Sequence, residues 1–244
     1  MTVKTPKIAL VFGASGSIGR AFCDALSKRS DIDRLIGTGR DLEAIPSQCE
    51  PIVLDVGDPA QIETSCAGIR ASTDRLDLVI YCIGVLHDAD RGIAPEKRLE
   101  NLDADAMSRQ FAINATAPAL LARELAALLP RKEPCIWAHL SARVGSIGDN
   151  HLGGWYSYRA SKAAQNMVTR TLAIELGRRH RGLACIALHP GTVASPLSAP
   201  FRSHEAKGVM TPEASVAHLM TVMDGLDAGS NGRFFAWDGT EIPW

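Results

Sequence analysis

VFGASGSIG, residues 11–19, places three glycines (Gly13, Gly16 and Gly19) directly after the apolar run KIALVF. A turn of this kind between a strand and a helix gathers free N–H groups at a helix N-terminus, where an anion is stabilised. Gly13 permits the tight turn, Gly19 the close approach of backbone to a pyrophosphate, and Ser15 and Ser17 add hydroxyl donors. The spacing is G-x-x-G-x-x-G, whereas the phosphate-binding fingerprint reads G-x-G-x-x-G. Taken alone, the loop also suits a plain strand-to-helix bend that binds nothing.

Outward from this loop, short apolar runs rich in β-branched residues alternate with longer helical patterns. The runs are KIALVFGA, RLIGTG, PIVLDV, LDLVIYCIG, PCIWAHLSA, LACIALHPG and GRFFAWDG. They lack strict apolar–polar alternation, as strands buried on both faces of a parallel sheet do. Between them lie four helical stretches: SIGRAFCDALSKRS, DPAQIETSCAGIR, DADAMSRQFAINATAPALLARELAALLP and YSYRASKAAQNMVTRTLAIELGRRH. Asp58 is the expected N-cap of the second, with Pro59 at its first position. This alternation predicts an α/β fold: a single doubly wound, Rossmann-type domain over 1–244, with a parallel sheet of about seven strands and helices on both faces. In such sheets ligands bind beyond the carboxyl ends of the strands. The polar stretches VLHDADRGIAPEKRLENL and SAPFRSHEAKGVMTPE, after the fourth and sixth strands, therefore fall on the functional edge.

Composition narrows the classes. The 244 residues suffice for one sizeable core, and 46% hydrophobic with 22% charged residues is ordinary for a globular chain. A formal charge of -1 and a pI near 6.7 argue against a nucleic-acid surface. No apolar run reaches the length of a membrane span, and the N-terminal MTVKTPKIAL lacks a signal-peptide plan. Cys23, Cys49, Cys66, Cys82, Cys135 and Cys185 stand singly, mostly in apolar segments, as reduced thiols of a cytoplasmic protein do. The histidines show neither H-x-x-x-H nor H-E-x-x-H spacing, so no metal site is expected. P-loop and G-x-S-x-G motifs are also missing, which argues against a nucleotide triphosphatase or a serine hydrolase.

Other residues point to chemistry. About 20 residues past a nucleotide-binding glycine turn, a carboxylate at the end of the second strand selects the ribose hydroxyls. Here the sequence reads GTGRD: Gly39 holds that place and Arg40 follows. A guanidinium pairs with a 2′-phosphate, and a missing carboxylate removes repulsion, which favours NADP over NAD. Asp41 keeps a carboxylate close by, and the alternative reading of Arg40 is a solvated turn arginine. Asp55, ending the third run, suits the adenine amino group or a plain turn.

YRASK puts Tyr158 and Lys162 on one face of a helix. An ammonium there favours the phenolate and suits a general acid/base near neutral pH; a surface Tyr–Lys contact has the same spacing. Ser141 ends the fifth run on the edge that carries the glycine loop, where its hydroxyl either orients a carbonyl or caps the strand. Asn114 lies four residues before Pro118, so its carbonyl loses its helical partner. The helix should break there, and the freed carbonyl is able to hold a relay water.

Together these motifs resemble the short-chain dehydrogenase/reductase family along essentially the whole chain. The match rests on the glycine turn, Asp55, Asn114, Ser141, YRASK and HPGTVAS (189–195). GVLHD, SARVGSI and FFAWDGTEIPW look like the branch related to bacterial C-factor signalling proteins. The resemblance implies a catalytic tetrad of Asn114, Ser141, Tyr158 and Lys162. It implies a cofactor held by Gly13, Ser15, Gly16, Ser17, Ile18, Gly19, Arg40, Asp55, Val56, Cys82, Ile83 and Gly84. Asn114, Tyr158 and Lys162 would also face it, with Pro190, Gly191, Thr192, Val193 and Ser195 near the carboxamide. Dimers or tetramers through the two long helices are usual in the family.

Three departures stand out. Ser17 replaces the middle glycine of T-G-x-x-x-G-x-G, YCIG (81–84) stands for N-N-A-G, and GDNHLGG lengthens the interval from Ser141 to Tyr158. None removes a group that hydride transfer requires. The expectation is an NADP(H)-dependent oxidoreductase acting on a small carbonyl or secondary alcohol, with NAD(H) possible. Its pocket would be walled by Val144, Ile147, Trp155, Leu197 and Phe201. The rival reading is an NADP(H)-binding sensor or signalling protein without turnover. The tetrad argues against it, because sensing needs neither Tyr158 nor Ser141.

Overall fold

A computed structural model describes residues 7–201, 203 and 205–244. The N-terminal segment 1–6, and positions 202 and 204 of the loop SAPFRSHEAKGVMTPE, lie outside the described residues. All seven apolar runs are strands of one sheet: β1 (Lys7–Phe12), β2 (Ile32–Gly39), β3 (Glu50–Val53), β4 (Leu78–Tyr81), β5 (Cys135–Leu140), β6 (Leu183–His189) and β9 (Phe234–Ala236). Their spatial order is β3-β2-β1-β4-β5-β6-β9, every pairing parallel. The chain reverses direction across the sheet at β1, so the crevice above β1 and β4 is where such folds place a ligand.

Strand side chains alternate between two cores. Leu10, Phe12, Val79, Tyr81 and Trp137 pack with α2 (Pro59–Ser72), α4 (Ala117–Leu125) and α5 (Tyr156–Gly177) on one face. Ala9, Val11, Ile80, Ala138 and Leu140 pack with α1 (Ser17–Leu26) and α6 (Pro212–Asp224) on the other. Burial on both faces is why the strands read as continuous apolar runs. Asp58 caps α2 as expected, its carboxylate accepting from Ala60 N–H at 2.9 Å.

The long stretch ending at Pro130 is divided. It comprises α3 (Ala104–Phe111), a π-turn at Ala112–Thr116 and α4. The expected break therefore takes the form of a widened turn, in which Ala117 N–H reaches Ala112 O. The hydroxyl of buried Tyr81 donates to Ile113 O at 2.6 Å within it. Wide turns of this kind inside helices favour functional sites. Beyond the seven strands, β7 (Thr192–Val193) pairs in parallel with β8 (Val209–Met210), folding the loop after β6 back on itself. Among the described residues no helix is long and apolar enough to cross a membrane.

Candidate active site

Above the carboxyl ends of β1 to β4 lies a cleft of about 500 Å³. Of the residues implied to hold a cofactor, Gly13, Ser15, Gly16, Ser17, Ile18, Gly19, Arg40, Asp55, Val56, Cys82, Ile83, Gly84 and Ser195 line it. Gly13 has φ of +79°, a conformation that favours glycine. Gly16 is the N-cap of α1 in extended geometry and offers no side-chain acceptor, so the first N–H groups of the helix face the cleft uncapped. Ser17 sits inside the first turn, not at positive φ, so the departure from glycine there brings no strain. Gly19 acts differently from the expectation: a Cβ there would lie 2.0 Å from Gly13 O, so this glycine lets helix and turn pack together.

At the end of β2, a Cβ on Gly39 would meet both Ser15 Oγ and Ile45 Cγ1 at 3.0 Å, leaving little room for a carboxylate. Arg40 stands exposed beside it on the rim. The Asp41 carboxylate turns to its own loop and accepts from Glu43 N–H at 3.0 Å. Asp55 Oδ1 accepts from Gly57 N–H at 2.9 Å, while Oδ2 faces Arg91 Nη2 at 3.4 Å. His87 and Asp88, which end the GVLHD motif, and Arg91, which no motif marks, also line the cleft from the loop after β4.

Two of the four tetrad candidates, Lys162 and Asn114, lie behind Gly84. A Cβ on Gly84 would be 3.2 Å from Lys162 Nζ and 3.6 Å from Asn114 Oδ1. Asn114 is wholly buried and its amide ties the loop to the helices. Its Oδ1 accepts from Val85 N–H at 2.8 Å, and Nδ2 donates to Val85 O and Ser161 Oγ, both at 2.9 Å. Lys162 Nζ donates to Leu140 O at 2.9 Å and Gln165 Oε1 at 2.8 Å, and lies 6.0 Å from the Tyr158 ring centre. Burial governs both groups as folded: it raises the Tyr158 phenol well above its ordinary value and pushes Lys162 down to about 7. The lowered tyrosine pKa expected from the spacing alone is opposed by desolvation.

Ser141 follows β5 and donates from Oγ to Asn166 Oδ1 at 2.6 Å. Asn166, on α5, in turn donates to Gly145 O at 3.1 Å. Two residues before Ser141, His139 accepts from Trp137 Nε1 at 2.9 Å and bonds Thr169 Oγ1 at 2.8 Å through Nδ1. Thr169 Oγ1 donates to Gln165 O, so Nδ1 carries the histidine proton. Burial pushes His139 down to about 3, keeping it neutral.

The start of α5 is held from the loop after β4. The buried Glu96 carboxylate accepts the N–H and hydroxyl of Ser157, and Glu96 O accepts Trp155 N–H at 2.6 Å. Trp155 has φ of +51°, following Gly153 and Gly154 at +65° and +66°. It meets Tyr158 at 6.3 Å and Phe201 at 5.1 Å between ring centres, and Phe201 meets His87 at 5.6 Å. Leu197 lines the cleft nearby, whereas Ile147, expected in this wall, is 78% exposed.

Pro190, Gly191, Thr192 and Val193 lie beyond the cleft lining, in the turn and strand leading to Ser195. Gly191 has φ of +78°, and a Cβ there would strike Met210 Cε at 2.3 Å.

Residues 7–206 match the profile of the short chain dehydrogenase family. The chain belongs to the short-chain dehydrogenase/reductase family. Within the family it is 34% identical to the 1-hydroxy-2-glutathionyl-2-methyl-3-butene dehydrogenase of Rhodococcus sp., covering 96% of this chain and 98% of that one. It is 38% identical over 149 residues to C-signal of Myxococcus xanthus, covering 60% of this chain and 83% of the relative. That likeness ties it to the C-factor branch. Among solved structures, the NADPH-bound carbonyl reductase from chicken fatty liver superposes with a TM-score of 0.84 at 26% identity, covering 98% of this chain and 94% of that one.

Proposed function

We propose that the chain is an NADP(H)-dependent oxidoreductase interconverting a carbonyl and a secondary alcohol, with NAD(H) as the lesser nucleotide. One observation carries this reading. Gly84 lines the cleft, and a Cβ there would meet Lys162 Nζ at 3.2 Å and Asn114 Oδ1 at 3.6 Å, so the nucleotide cradle borders two members of the tetrad. The cleft fits a dinucleotide in its parts. The uncapped start of α1 suits a pyrophosphate, Asp55 Oδ2 an adenine amino group, and Arg40 beside carboxylate-free Gly39 a 2′-phosphate. The Rhodococcus relative is named a dehydrogenase and the chicken neighbour a carbonyl reductase with NADPH bound, which supports the same class.

When bound, the nicotinamide supplies or takes a hydride. Tyr158 gives the proton to the substrate oxygen or removes it, and Ser141 orients that oxygen. Lys162 favours the phenolate and holds the nicotinamide ribose. Asn114, at the π-turn, fixes the wall through which a relay to solvent would pass. Trp155, Leu197 and Phe201 suit a mostly apolar substrate. The six free thiols suit a reducing compartment, the cytoplasm. Met167 and Ile174 on α5 are 66% and 50% exposed, which supports a dimer or tetramer through that helix, a state that light scattering measures.

The test is Tyr158→Phe. It should keep NADPH affinity and lose turnover of a carbonyl panel followed at about 340 nm. Retained turnover would overturn the mechanism. The likeness to C-signal favours a second reading, a nucleotide-binding signalling protein; binding without turnover in the parent chain would support it.

A further inference from the structure

Among the described residues two arginines line the cleft, and the mechanism above uses only Arg40. Arg91 comes from the polar loop after β4. Residues 88–93 of that loop close on themselves, Asp88 N–H donating to Ile93 O at 2.9 Å and Ile93 N–H to Asp88 O at 2.8 Å, with Gly92 at φ of +64°. This small hairpin holds Arg91 near its tip, 3.4 Å from Asp55 and 3.7 Å from Asp88. In the sheet, β2 and β1 stand between β3, which leads to Asp55, and β4. Three strand spacings separate those edges, about 14 Å. The loop therefore crosses above the carboxyl ends of β1 and β2 and meets the far wall of the cleft.

Asp55 Oδ1 is already engaged by Gly57 N–H, so Oδ2 is the oxygen on offer to an incoming amino group, and Arg91 is what faces it. The Arg91–Asp55 contact is long at 3.4 Å and its side chains are 37% and 30% exposed. A pair of that kind is weak, so Asp55 exchanges it for an amine at little loss. The freed guanidinium stays at the same wall, tethered by Asp88. A planar, weakly hydrated guanidinium lies well on an aromatic face.

We propose that Arg91 is a cofactor-binding residue that covers the adenine ring of the bound dinucleotide while Asp55 takes its exocyclic amine. The assignment rests on the dinucleotide reading above. It separates the two cations: Arg40 reads the 2′-phosphate, and Arg91 reads the base common to NADPH and NADH.

Calorimetric titration of the purified chain with NADPH, NADH and 5′-AMP tests it, using the parent, Arg91→Ala, Arg91→Lys and Arg40→Ala. Arg91→Ala should weaken all three ligands by a similar factor, about three- to tenfold, the range for a guanidinium on a ring face. Arg91→Lys keeps the charge without the plane and should behave more like alanine than like the parent. Arg40→Ala should weaken NADPH alone. Thermal unfolding at an unchanged midpoint confirms that Arg91→Ala is folded. Unchanged or tighter binding in Arg91→Ala overturns the assignment, as does a loss confined to NADPH, which would make Arg91 a phosphate reader. A parent chain that binds none of the three overturns the dinucleotide reading itself, and the assignment with it.

Discussion

Glu96→Ala should loosen α5 at its first turn. Glu96 is 3% exposed and its carboxylate is the acceptor for two donors of Ser157, the N–H at 3.2 Å and the hydroxyl. Truncation leaves both donors buried without a partner, at roughly 1–3 kcal/mol each. It also removes an acidic group from the positive end of a helix dipole, although that contribution overlaps with the lost hydrogen bonds. The hydroxyl can turn elsewhere, whereas the N–H cannot, so the expected loss is roughly 2–4 kcal/mol. At 2–4 °C per kcal/mol for a chain of this size, the melting midpoint should fall by about 4–16 °C. Glu96→Gln keeps one acceptor oxygen and should lose about half as much. The assay is thermal unfolding followed by circular dichroism, alongside steady-state kinetics. Because the Glu96 carboxylate holds Ser157, the residue directly before Tyr158 on α5, kcat should fall more than KM rises. A melting midpoint within about 1 °C of the parent for both variants would refute the reasoning, since two buried donors cannot lose their acceptor at no cost.

Two further outcomes are expected. Gly39→Asp crowds Ser15 Oγ and Ile45 Cγ1, each 3.0 Å from the added Cβ, and should destabilise by about 1 kcal/mol. Its carboxylate also stands where the 2′-phosphate is proposed, so NADPH affinity should fall about tenfold and NADH affinity less. Equal losses for the two nucleotides in calorimetry would contradict this. His139 titrates at about 3 when folded against an ordinary value of 6.5, so between those values the unfolded chain binds the extra proton. Stability from this group is complete above pH 6.5 and declines as pH falls towards 3, by about 1.4 kcal/mol per pH unit. His139→Gln should remove that share of the acid slope, and identical slopes for parent and variant would disprove it.

The strands were legible because burial on both faces leaves apolar runs such as LVIY and CIWAHL that need no partner to be recognised. The glycine loop was legible for a local reason too, since Gly13 needs positive φ wherever the rest of the chain goes. Helix α6 carries a start signal: Thr211 caps it, accepting from Ala214 N–H at 3.2 Å, and Pro212 follows. Strands β7 and β8 have two residues each, too few for any period to show. Asn166, Glu96 and Arg91 act across 25, 61 and 36 residues of chain, and no local pattern reports such contacts. Helix α5 hides its orientation in another way. It buries Ser157, Tyr158, Ser161, Lys162, Gln165, Asn166 and Thr169, and leaves Met167 and Ile174 outside. Its polar face turns inward, the reverse of the pattern by which surface helices are oriented.

The amide of Asn166 has a consequence for which form of substrate the pocket receives more easily. Gly145 O can only accept, so Nδ2 must face it and Oδ1 must face Ser141, which leaves the serine hydrogen committed to Asn166. In the proposed site Ser141 would then offer a substrate oxygen lone pairs and no hydrogen. An alcohol brings its own hydrogen and meets Ser141 with nothing disturbed. A ketone or aldehyde must first draw the serine hydrogen away from a 2.6 Å partner. If the proposed mechanism holds, the orientation of one buried amide gives the two sides of a reversible reaction unequal welcomes before any proton or hydride has moved.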